Sequence, residues 1–420
     1  MEPSTERAAS DTYVPRYVDS VLDDLFDDVP AVMLTGPRAC GKTTTAARRA
    51  ASVLRLDDPE QSRLFTGQPD AYVRRLPEPV LIDEWQEAPE SLGVVKRAVD
   101  SGTGAGRFLV TGSVRARHQG ATWPGTGRVV PLPMFGLTVG ELERSPRAAT
   151  FVERLFDPHG FEPGPLEGAP DIFEYVALAV SGGFPEAVNA RTATRTRWLN
   201  GYVEQLVHRD ALDLAPVRAP ARMAALLRAV GLSTAGVPTL TTLTDAAAID
   251  ARTAKAYLDL LEELRIIERV QPWLSNSLKR LTKAPKYYVV DSSLAAFLAG
   301  ADSQRILNDG ELRGRIIDTF VTAQIRPLVA LHAAGMTMHH LRTRDGDHEI
   351  DLVIESSDGR TVGIEVKAAA VVDQSDARHL AWFRELRGPE FARGIVLHTG
   401  TSAFQLSEKI WAMPIASLWR

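Results

Sequence analysis

Short runs of apolar residues alternate with segments of helical spacing along the first third of the chain. The runs lie within Val32–Thr35, Val53–Leu56, Pro79–Glu84 and Arg107–Ser113. Unbroken apolar runs of this length are typical of parallel strands that are covered on both faces. Strands that alternate with amphipathic helices predict an α/β fold built on a parallel sheet.

The first run leads directly into a glycine-bounded loop and then into a helical pattern. The loop has the spacing Gly-x4-Gly-Lys-Thr, which in this context predicts a phosphate-binding P-loop, with ATP and Mg²⁺ as the ligands. Lys42 is expected to reach the β- and γ-phosphates as a catalytic group, and the Thr43 hydroxyl is expected to ligate Mg²⁺. The predicted nucleotide-binding residues are Gly36, Pro37, Arg38, Ala39, Cys40, Gly41, Lys42, Thr43 and Thr44.

Two acidic residues, Asp83 and Glu84, follow the third apolar run. A parallel strand delivers the residues at its end to the carboxyl edge of the sheet, where ligands bind in open α/β folds. We therefore expect Asp83 to hold the hydration shell of Mg²⁺. Glu84 is the predicted catalytic base, which orients and deprotonates the attacking water.

The fourth run also ends in polar side chains. Thr111 is predicted to sense the γ-phosphate beside the P-loop, and Ser113 is the alternative. Arg128, Arg115 and Arg117 are candidates for an arginine finger, from the same chain or from a neighbouring subunit. Arg128 is the one that we include among the predicted nucleotide-binding residues.

Proline and glycine are frequent in residues 146–170, which predicts a linker or an irregular insertion. Later in the middle region, a short helix, a turn at Asp250, a helix over Ala251–Ile267 and two strand-like segments give the order of a winged helix. Its candidate contacts to DNA phosphates are Arg252, Lys255, Lys279, Arg280 and Lys283. Acidic residues on the same helix favour the alternative, in which the winged helix only packs between domains.

Polar and apolar residues alternate over His348–Glu355 and again over Thr361–Lys367, as in a half-buried hairpin. Asp351 with Glu365-x-Lys367 has the spacing of PD-(D/E)xK nucleases, in which two carboxylates bind Mg²⁺ and the lysine assists catalysis. Resemblance to that pattern implies catalytic roles for these three residues. It also implies a metal site formed by Asp351 and Glu365 with Asp318, which lies on a preceding helix. The alternative is a charged hairpin whose lysine and acids merely pair across strands.

Composition sets limits on these interpretations. With 420 residues the chain is long enough for two or three domains. A net charge of -5 gives no global attraction to nucleic acid, so any such binding needs a local patch. The single cysteine, Cys40, is compatible with a reducing cytoplasm. No apolar run is long enough to span a membrane, so we expect no membrane partner.

Several motifs together carry a more specific resemblance. They are Leu-Thr-Gly-Pro-Arg-x-x-Gly-Lys-Thr-Thr, Leu-Asp-Asp-Pro, Ile-Asp-Glu-x-Gln, Phe-Leu-x-Thr-Gly-Ser and Gly-Arg-x-x-x-Leu. The chain thereby resembles a large group of bacterial and archaeal AAA-type ATPases with a C-terminal domain of unknown function. The resemblance implies an AAA-type α/β core, a helical and winged-helix region, and an α/β domain with a restriction-endonuclease-like fold.

The predicted domains are an ATPase domain at 1–145, the linker at 146–170, a helical and winged-helix region at 171–300 and a nuclease-like domain at 301–420. The predicted function is a Mg²⁺-dependent ATPase coupled to a nuclease-like domain that acts on DNA or RNA. One alternative is an ATP-dependent regulatory switch that binds a protein partner without cleaving nucleic acid. Another is a toxin or defence effector that inhibits growth. The sequence leaves the oligomeric state open.

Overall fold

The structure is a computed structural model, and its described residues are 13–113, 127–144, 150–158, 161, 163–164, 166–214, 219–274, 284–343 and 346–420. Five arginines and lysines with predicted roles lie outside these ranges. They are Arg115, Arg117, Lys279, Arg280 and Lys283. Within the described ranges, every helix is too short or too polar to cross a membrane.

The N-terminal third contains a five-stranded parallel sheet with the order β2-β3-β4-β1-β5. Its strands are β1 (Ala31–Thr35), β2 (Ser52–Arg55), β3 (Val80–Asp83), β4 (Phe108–Gly112) and β5 (Val130–Pro133). Every residue of β1, β3 and β4 is buried, as expected for strands with helices on both faces. The predicted α/β core with a parallel sheet is therefore confirmed.

In the part of this region that the structure describes, six α-helices accompany the sheet. They are α1 (Tyr17–Asp28), α2 (Lys42–Ala47), α3 (Pro59–Gly67), α4 (Pro69–Val73), α5 (Ser91–Ser101) and α6 (Val139–Leu142). One apolar cluster on one face of the sheet includes Val18 and Leu22 of α1, and another on the opposite face includes Phe65 of α3. Burial on both faces fixes the strands, and hence the loops at their carboxyl ends.

The segment predicted to be a linker or an irregular insertion contains a buried helix, α7 (Phe151–Phe156). Thr150 caps the helix and its apolar side chains are buried. The helix packs against a strand of the C-terminal sheet, where Arg393 donates a 3.1 Å hydrogen bond to the carbonyl of Leu155. The prolines and glycines on either side of α7 obscured its short apolar pattern.

The middle region is helical and ends in a two-stranded ribbon. Its helices are α8 (Ile172–Ser181), α9 (Thr192–Gln205), a π-helical turn (Leu206–Asp210), α10 (Ala211–Leu214), α11 (Pro220–Leu232), α12 (Leu240–Ala247) and α13 (Ala251–Glu263). The antiparallel ribbon pairs β6 (Ile267–Val270) with β7 (Lys286–Val289). This is the predicted order of elements, and the winged-helix assignment itself stays a prediction. Arg252 and Lys255 are exposed on α13.

Three helices lead into the C-terminal sheet, α14 (Ser292–Leu298), α15 (Ser303–Asn308) and α16 (Gly310–Ala330). The sheet has the order β12-β13-β11-β10-β9-β8. Its strands are β8 (Thr337–Arg342), β9 (Glu349–Glu355), β10 (Thr361–Lys367), β11 (Phe391–His398), β12 (Phe404–Ser407) and β13 (Ile410–Pro414). Helix α17 (Arg378–Arg387) packs on β10 and β11 and covers one face of the sheet.

Helix α16 joins the middle region to the C-terminal sheet. It packs against α8 and α14 of the helical region and against β8, β9 and β10. Its residues Ile316, Phe320 and Val321 belong to one apolar cluster that runs from α7 to β13. The middle and C-terminal regions therefore share a core, which keeps the ribbon in a fixed position beside the C-terminal sheet.

Candidate functional sites

The P-loop connects β1 to α2, and its two glycines are required by the backbone. A Cβ on Gly36 would lie only 2.1 Å from the carbonyl oxygen of Met134. Gly41 is the N-cap of α2 and has a φ of 99°, a conformation that strongly favours glycine. The sequence spacing thus produces a tight loop that ends at the start of a helix.

The side chain of Lys42 is held inside this loop. It is 5% exposed, and its ammonium group donates hydrogen bonds to the carbonyls of Gly36 (3.1 Å) and Pro37 (2.8 Å). Cys40 is fully buried against Met134, which makes it a packing residue of the loop. These contacts place a buried positive charge where the motif predicts the phosphates to bind.

Thr43, Asp83 and Thr111 meet at the carboxyl edge of the sheet. The Thr43 hydroxyl donates a 2.8 Å hydrogen bond to Oδ1 of Asp83, and the Thr111 hydroxyl donates to the same oxygen. This follows from the topology, because β3, β4 and β1 are neighbours and run in one direction. A hydroxyl beside a carboxylate is a donor set that suits Mg²⁺, which binds few protein oxygens and keeps several waters.

Glu84 follows Asp83 at a sharp turn of the backbone, with a φ of 54°. Its carboxylate accepts a hydrogen bond from the Gln86 amide, and its N–H donates to the Thr111 hydroxyl at 3.4 Å. The Gln86 amide also lies 3.5 Å from the Ser113 hydroxyl. The structure therefore brings Glu84 into the same polar group as Asp83 and Thr111, as predicted from the ends of their strands.

Arg128 is far from this group, which corrects its predicted place among the nucleotide-binding residues of the same chain. It precedes β5, whose first residue pairs with Val32 at the amino end of β1. The P-loop follows the opposite, carboxyl end of β1. The Arg128 guanidinium instead pairs with Asp100 at 2.9 Å. An arginine supplied by a neighbouring subunit stays a prediction.

Residues from the middle region contact the P-loop, and the sequence did not indicate them. Arg265 donates a 3.0 Å hydrogen bond to the Thr35 hydroxyl at the end of β1. Asp210, which is 4% exposed, forms an ion pair at 3.0 Å with Arg38 of the loop. The neighbouring Arg209 is exposed. These contacts join elements that are distant in the chain, so no local sequence pattern predicts them.

A cavity of about 370 Å³ adjoins the P-loop. The loop and α2 contribute Gly41, Thr44 and Thr45, and the middle region contributes Pro185, Glu186, Val188 and Asn189. Its other walls include Tyr13, whose hydroxyl lies 3.1 Å from that of Thr45. The volume is in the range of small-molecule sites.

A second polar cluster is buried in the C-terminal third, around Lys286 of β7. The Lys286 ammonium donates to Oδ2 of Asp318 at 2.7 Å and to Oδ1 of Asp351 at 2.9 Å. The other oxygen of Asp318 accepts from the Tyr288 hydroxyl at 3.0 Å and from the Thr322 hydroxyl at 3.2 Å. Lys286 belongs to no motif that the sequence analysis considered. The one feature of the sequence that could indicate its role is a charged residue at the start of an otherwise apolar strand.

Glu365 and Lys367 lie beside this group on β10. Their side chains pair with each other at 3.2 Å on one face of the strand. The other oxygen of Asp351 accepts a 3.0 Å hydrogen bond from the N–H of Val366. The structure therefore gathers Asp318, Asp351, Glu365 and Lys367, as predicted, but with a second lysine between two of the acids.

Burial and neighbouring charges shift the pKa values of this cluster. Burial opposes the charge of Lys286, but Asp318 and Asp351 outweigh it and hold the pKa of Lys286 well above its ordinary value. Burial, with a contribution from Asp351, raises the pKa of Glu365 to about 8. Burial raises the pKa of Asp318 to about 6, although the charge of Lys286 lowers it. Lys286 is thus the charged partner around which these acids are arranged.

Across the described ranges, no group of three or more histidine, cysteine, aspartate or glutamate side chains has an arrangement that could hold a metal ion. This includes Asp318, Asp351 and Glu365, for which a metal site was expected. Their catalytic and metal-binding roles stay predictions that the geometry does not favour.

Comparisons with known proteins divide the chain into three parts. Residues 28–143 match a family described as AAA domain. This match supports the AAA-type part of the predicted fold. Residues 172–305 and 313–418 match two families that are each described as a domain of unknown function. Their descriptions assign no nuclease or winged-helix character to either region.

Similar proteins are known from mycobacteria. The uncharacterized proteins Rv2008c of Mycobacterium tuberculosis and Mb2031c of Mycobacterium bovis are each 28% identical over 404 residues. Each alignment covers 92% of this chain and 80% of the relative. Among solved structures, a Walker-type ATPase of Pyrococcus abyssi matches 68% of this chain and 96% of its own, with 14% identity and a TM-score of 0.39.

Proposed function

We propose that the chain is a Mg²⁺-dependent ATPase whose nucleotide state is transmitted to its middle region. One observation carries this proposal. The hydroxyls of Thr43 and Thr111 both donate to Oδ1 of Asp83, and Thr43 directly follows Lys42, whose ammonium group is held inside the P-loop. A P-loop lysine, a hydroxyl and a strand-end carboxylate are the parts that a nucleotide triphosphate with its metal requires.

Each residue has a distinct role in this proposal. Thr43 and Asp83 would hold Mg²⁺, which when bound neutralises charge on the phosphates. Lys42 exchanges the loop carbonyls for the β- and γ-phosphates, to which an ammonium group bonds more strongly. Glu84 orients the attacking water and accepts its proton, and Thr111 keeps Asp83 in place.

The cavity beside Gly41 supplies room for the nucleoside. It opens next to the first turn of α2, and it is lined by residues from the N-terminal segment and from the middle region. A nucleotide in this position would touch both regions at once. Binding would then stabilise one arrangement of the middle region relative to the ATPase domain.

Contacts around the P-loop favour the alternative of a regulatory switch. Arg38 of the loop is tied to Asp210 of the π-helical turn, and its carbonyl lies 3.5 Å from the Tyr202 hydroxyl. Phosphates that approach Arg38 would compete with Asp210 for its guanidinium group. Movement of the loop would therefore displace the helical region, which is where a protein partner would bind in this proposal. The toxin alternative stays a prediction.

The test of the proposed activity uses Glu84→Gln, with Glu87→Gln as the matched control on the exposed side of the following turn. We expect wild type and Glu87→Gln to hydrolyse ATP with Mg²⁺. Glu84→Gln should lose about 100-fold or more in turnover while its affinity for Mg-ATP stays within about threefold. Hydrolysis at the wild-type rate by Glu84→Gln would remove Glu84 from the mechanism, and inactive wild-type protein would contradict the ATPase.

A further inference from the structure

The acidic cluster of the C-terminal domain already contains a cation, and that cation belongs to the protein. Lys286 enters from the ribbon of the middle region and is 2% exposed. Its ammonium group lies between carboxylates from two elements, Asp318 of α16 and Asp351 of β9. A lysine this deeply buried needs such partners, because an unpaired charge in the interior is very unfavourable.

The hydrogen bonds of the cluster leave few oxygens for a metal. Asp318 accepts from Lys286, Tyr288 and Thr322, so both of its oxygens are engaged. Asp351 accepts from Lys286 through one oxygen and from a backbone N–H through the other. Among these acids, only Oε1 of Glu365 is buried without a hydrogen-bond partner. Mg²⁺ is usually held by one or two carboxylates, so a metal here would have to displace the Lys286 ammonium from the Asp318 and Asp351 oxygens.

Charge balance leads to the same conclusion. Two lysines, Lys286 and Lys367, face the three carboxyl groups of Asp318, Asp351 and Glu365. A divalent ion at the Asp318 and Asp351 oxygens would meet the Lys286 ammonium, which has the same sign of charge. The residues present therefore do not fit a divalent metal while Lys286 remains in its place.

We propose that Lys286 is a tethered cation that holds the position of a divalent metal in the C-terminal domain. The domain then folds without metal, and it does not perform metal-dependent cleavage of phosphodiesters. The lysine also fastens the ribbon of the middle region to the C-terminal sheet, alongside the ion pair between Arg326 of α16 and Glu268 of β6. This inference is independent of the proposed ATPase activity, because it rests on Lys286, Asp318 and Asp351, which have no part in the proposed hydrolysis of ATP.

Binding of Mn²⁺ without nucleotide tests this directly, measured by electron paramagnetic resonance on the full chain. We compare wild type with Asp351→Asn, and Lys286→Met with the double variant Lys286→Met/Asp351→Asn. The first pair should bind equal amounts of Mn²⁺ up to about 1 mM. In the second pair, Lys286→Met should bind one more Mn²⁺ than the double variant, because its carboxylates have lost their cation. Any Mn²⁺ at the P-loop is common to all four proteins and cancels.

Two results would overturn the proposal. One is a Mn²⁺ ion that wild type binds and Asp351→Asn does not. The other is a folded Lys286→Met protein that gains no Mn²⁺. Where Lys286→Met does not fold, Lys286→Gln replaces it, and where Asp351→Asn does not fold, Glu365→Gln serves in the comparison with wild type.

A cleavage assay gives a second, independent decision. Wild type is incubated with Mg²⁺ or Mn²⁺ and with single- and double-stranded DNA and RNA, with Lys367→Ala in parallel. We expect the same absence of cleavage from both proteins. Cleavage by wild type that disappears in Lys367→Ala would overturn the proposal, whatever the outcome of the ATPase measurements. Thermal unfolding supplies a further readout, because Mn²⁺ should raise the Tm of Lys286→Met by more than it raises that of wild type.

Discussion

Arg265 Nη2 lies 3.0 Å from Oγ1 of Thr35, which connects the turn before the ribbon to the last residue of the P-loop strand. Thr35 immediately precedes Gly36, so the hydrogen bond acts where the phosphate loop begins. The backbone of Arg265 has a φ of 55°, an uncommon conformation for a residue with a side chain. The contact therefore ties the geometry of the turn to that of the P-loop.

Arg265→Ala should loosen the P-loop without unfolding the ATPase sheet. A hydrogen bond to a charged donor contributes about 1.5–3 kcal/mol, so amide hydrogen exchange in residues 35–41 should become about tenfold faster or more in the absence of nucleotide. The measurement is hydrogen exchange read by mass spectrometry. Arg269→Ala is the control, because Arg269 pairs with Asp259 and Glu262 on the same ribbon and helix. Equal exchange of the loop in wild type and Arg265→Ala would refute the coupling.

Thr111→Val should slow ATP hydrolysis by about 10–100-fold with little change in KM. The substitution keeps the shape of the side chain but removes the hydroxyl that donates to Asp83. The loss of a hydrogen bond to a charged group accounts for this magnitude. Steady-state kinetics provide the measurement. Thr111→Ser retains the donor and should stay within a fewfold of wild type, and if it were as slow as Thr111→Val, shape rather than the hydroxyl would be responsible.

His340 should make the C-terminal region less stable in acid. Burial, with the charge of Lys286, lowers the pKa of His340 to about 4, whereas the unfolded chain has an ordinary value near 6.5. Below pH 6.5 the unfolded state binds a proton that the folded state excludes, so stability falls as the pH falls toward 4. Between pH 7 and pH 5 the loss attributable to this residue is about 2 kcal/mol.

His340→Gln removes this titration and keeps an N–H group that can donate to the Ala284 carbonyl, which lies 3.3 Å from the ring of His340. The measurement is the denaturation midpoint of both proteins at pH 7, 6 and 5. As the pH falls, the denaturation midpoint of wild type should decrease more than that of His340→Gln. His208→Gln, at an exposed position, is the control. A gap that is independent of pH would show that His340 titrates normally.

Local patterns predicted the ATPase core well, for a physical reason. The run before Gly36 and the run before Asp83 are apolar because both strands are buried on both faces, and parallel strands bring their ends together. Thr43, Asp83 and Thr111 could therefore be grouped from the sequence alone. Arg128 was assigned to the wrong edge of the sheet. Its position in the sequence does not show whether it lies at the amino or the carboxyl end of the strands.

The contacts between regions could not be predicted in this way. Lys286 meets Asp318 and Asp351, which follow it by 32 and 65 residues, and Arg265 meets a residue 230 positions earlier. Such pairs depend on how helices and strands pack against one another. The spacing of hydrophobic residues along the chain does not determine this packing. The spacing typical of PD-(D/E)xK nucleases is present in the hairpin of β9 and β10. The residue that occupies the predicted metal position, Lys286, lies on β7.

Calorimetric titration of the folded protein with Mg-ATP tests the central claim most directly. The account predicts heat of binding with one site per chain for wild type, and loss of that heat in Lys42→Ala, because the buried ammonium beside Gly36 and Pro37 is the main charge available to the phosphates. Cys40→Ala, a change at a buried packing position in the same loop, should still bind. Absence of heat with wild type, or equal affinity in wild type and Lys42→Ala, would contradict the account.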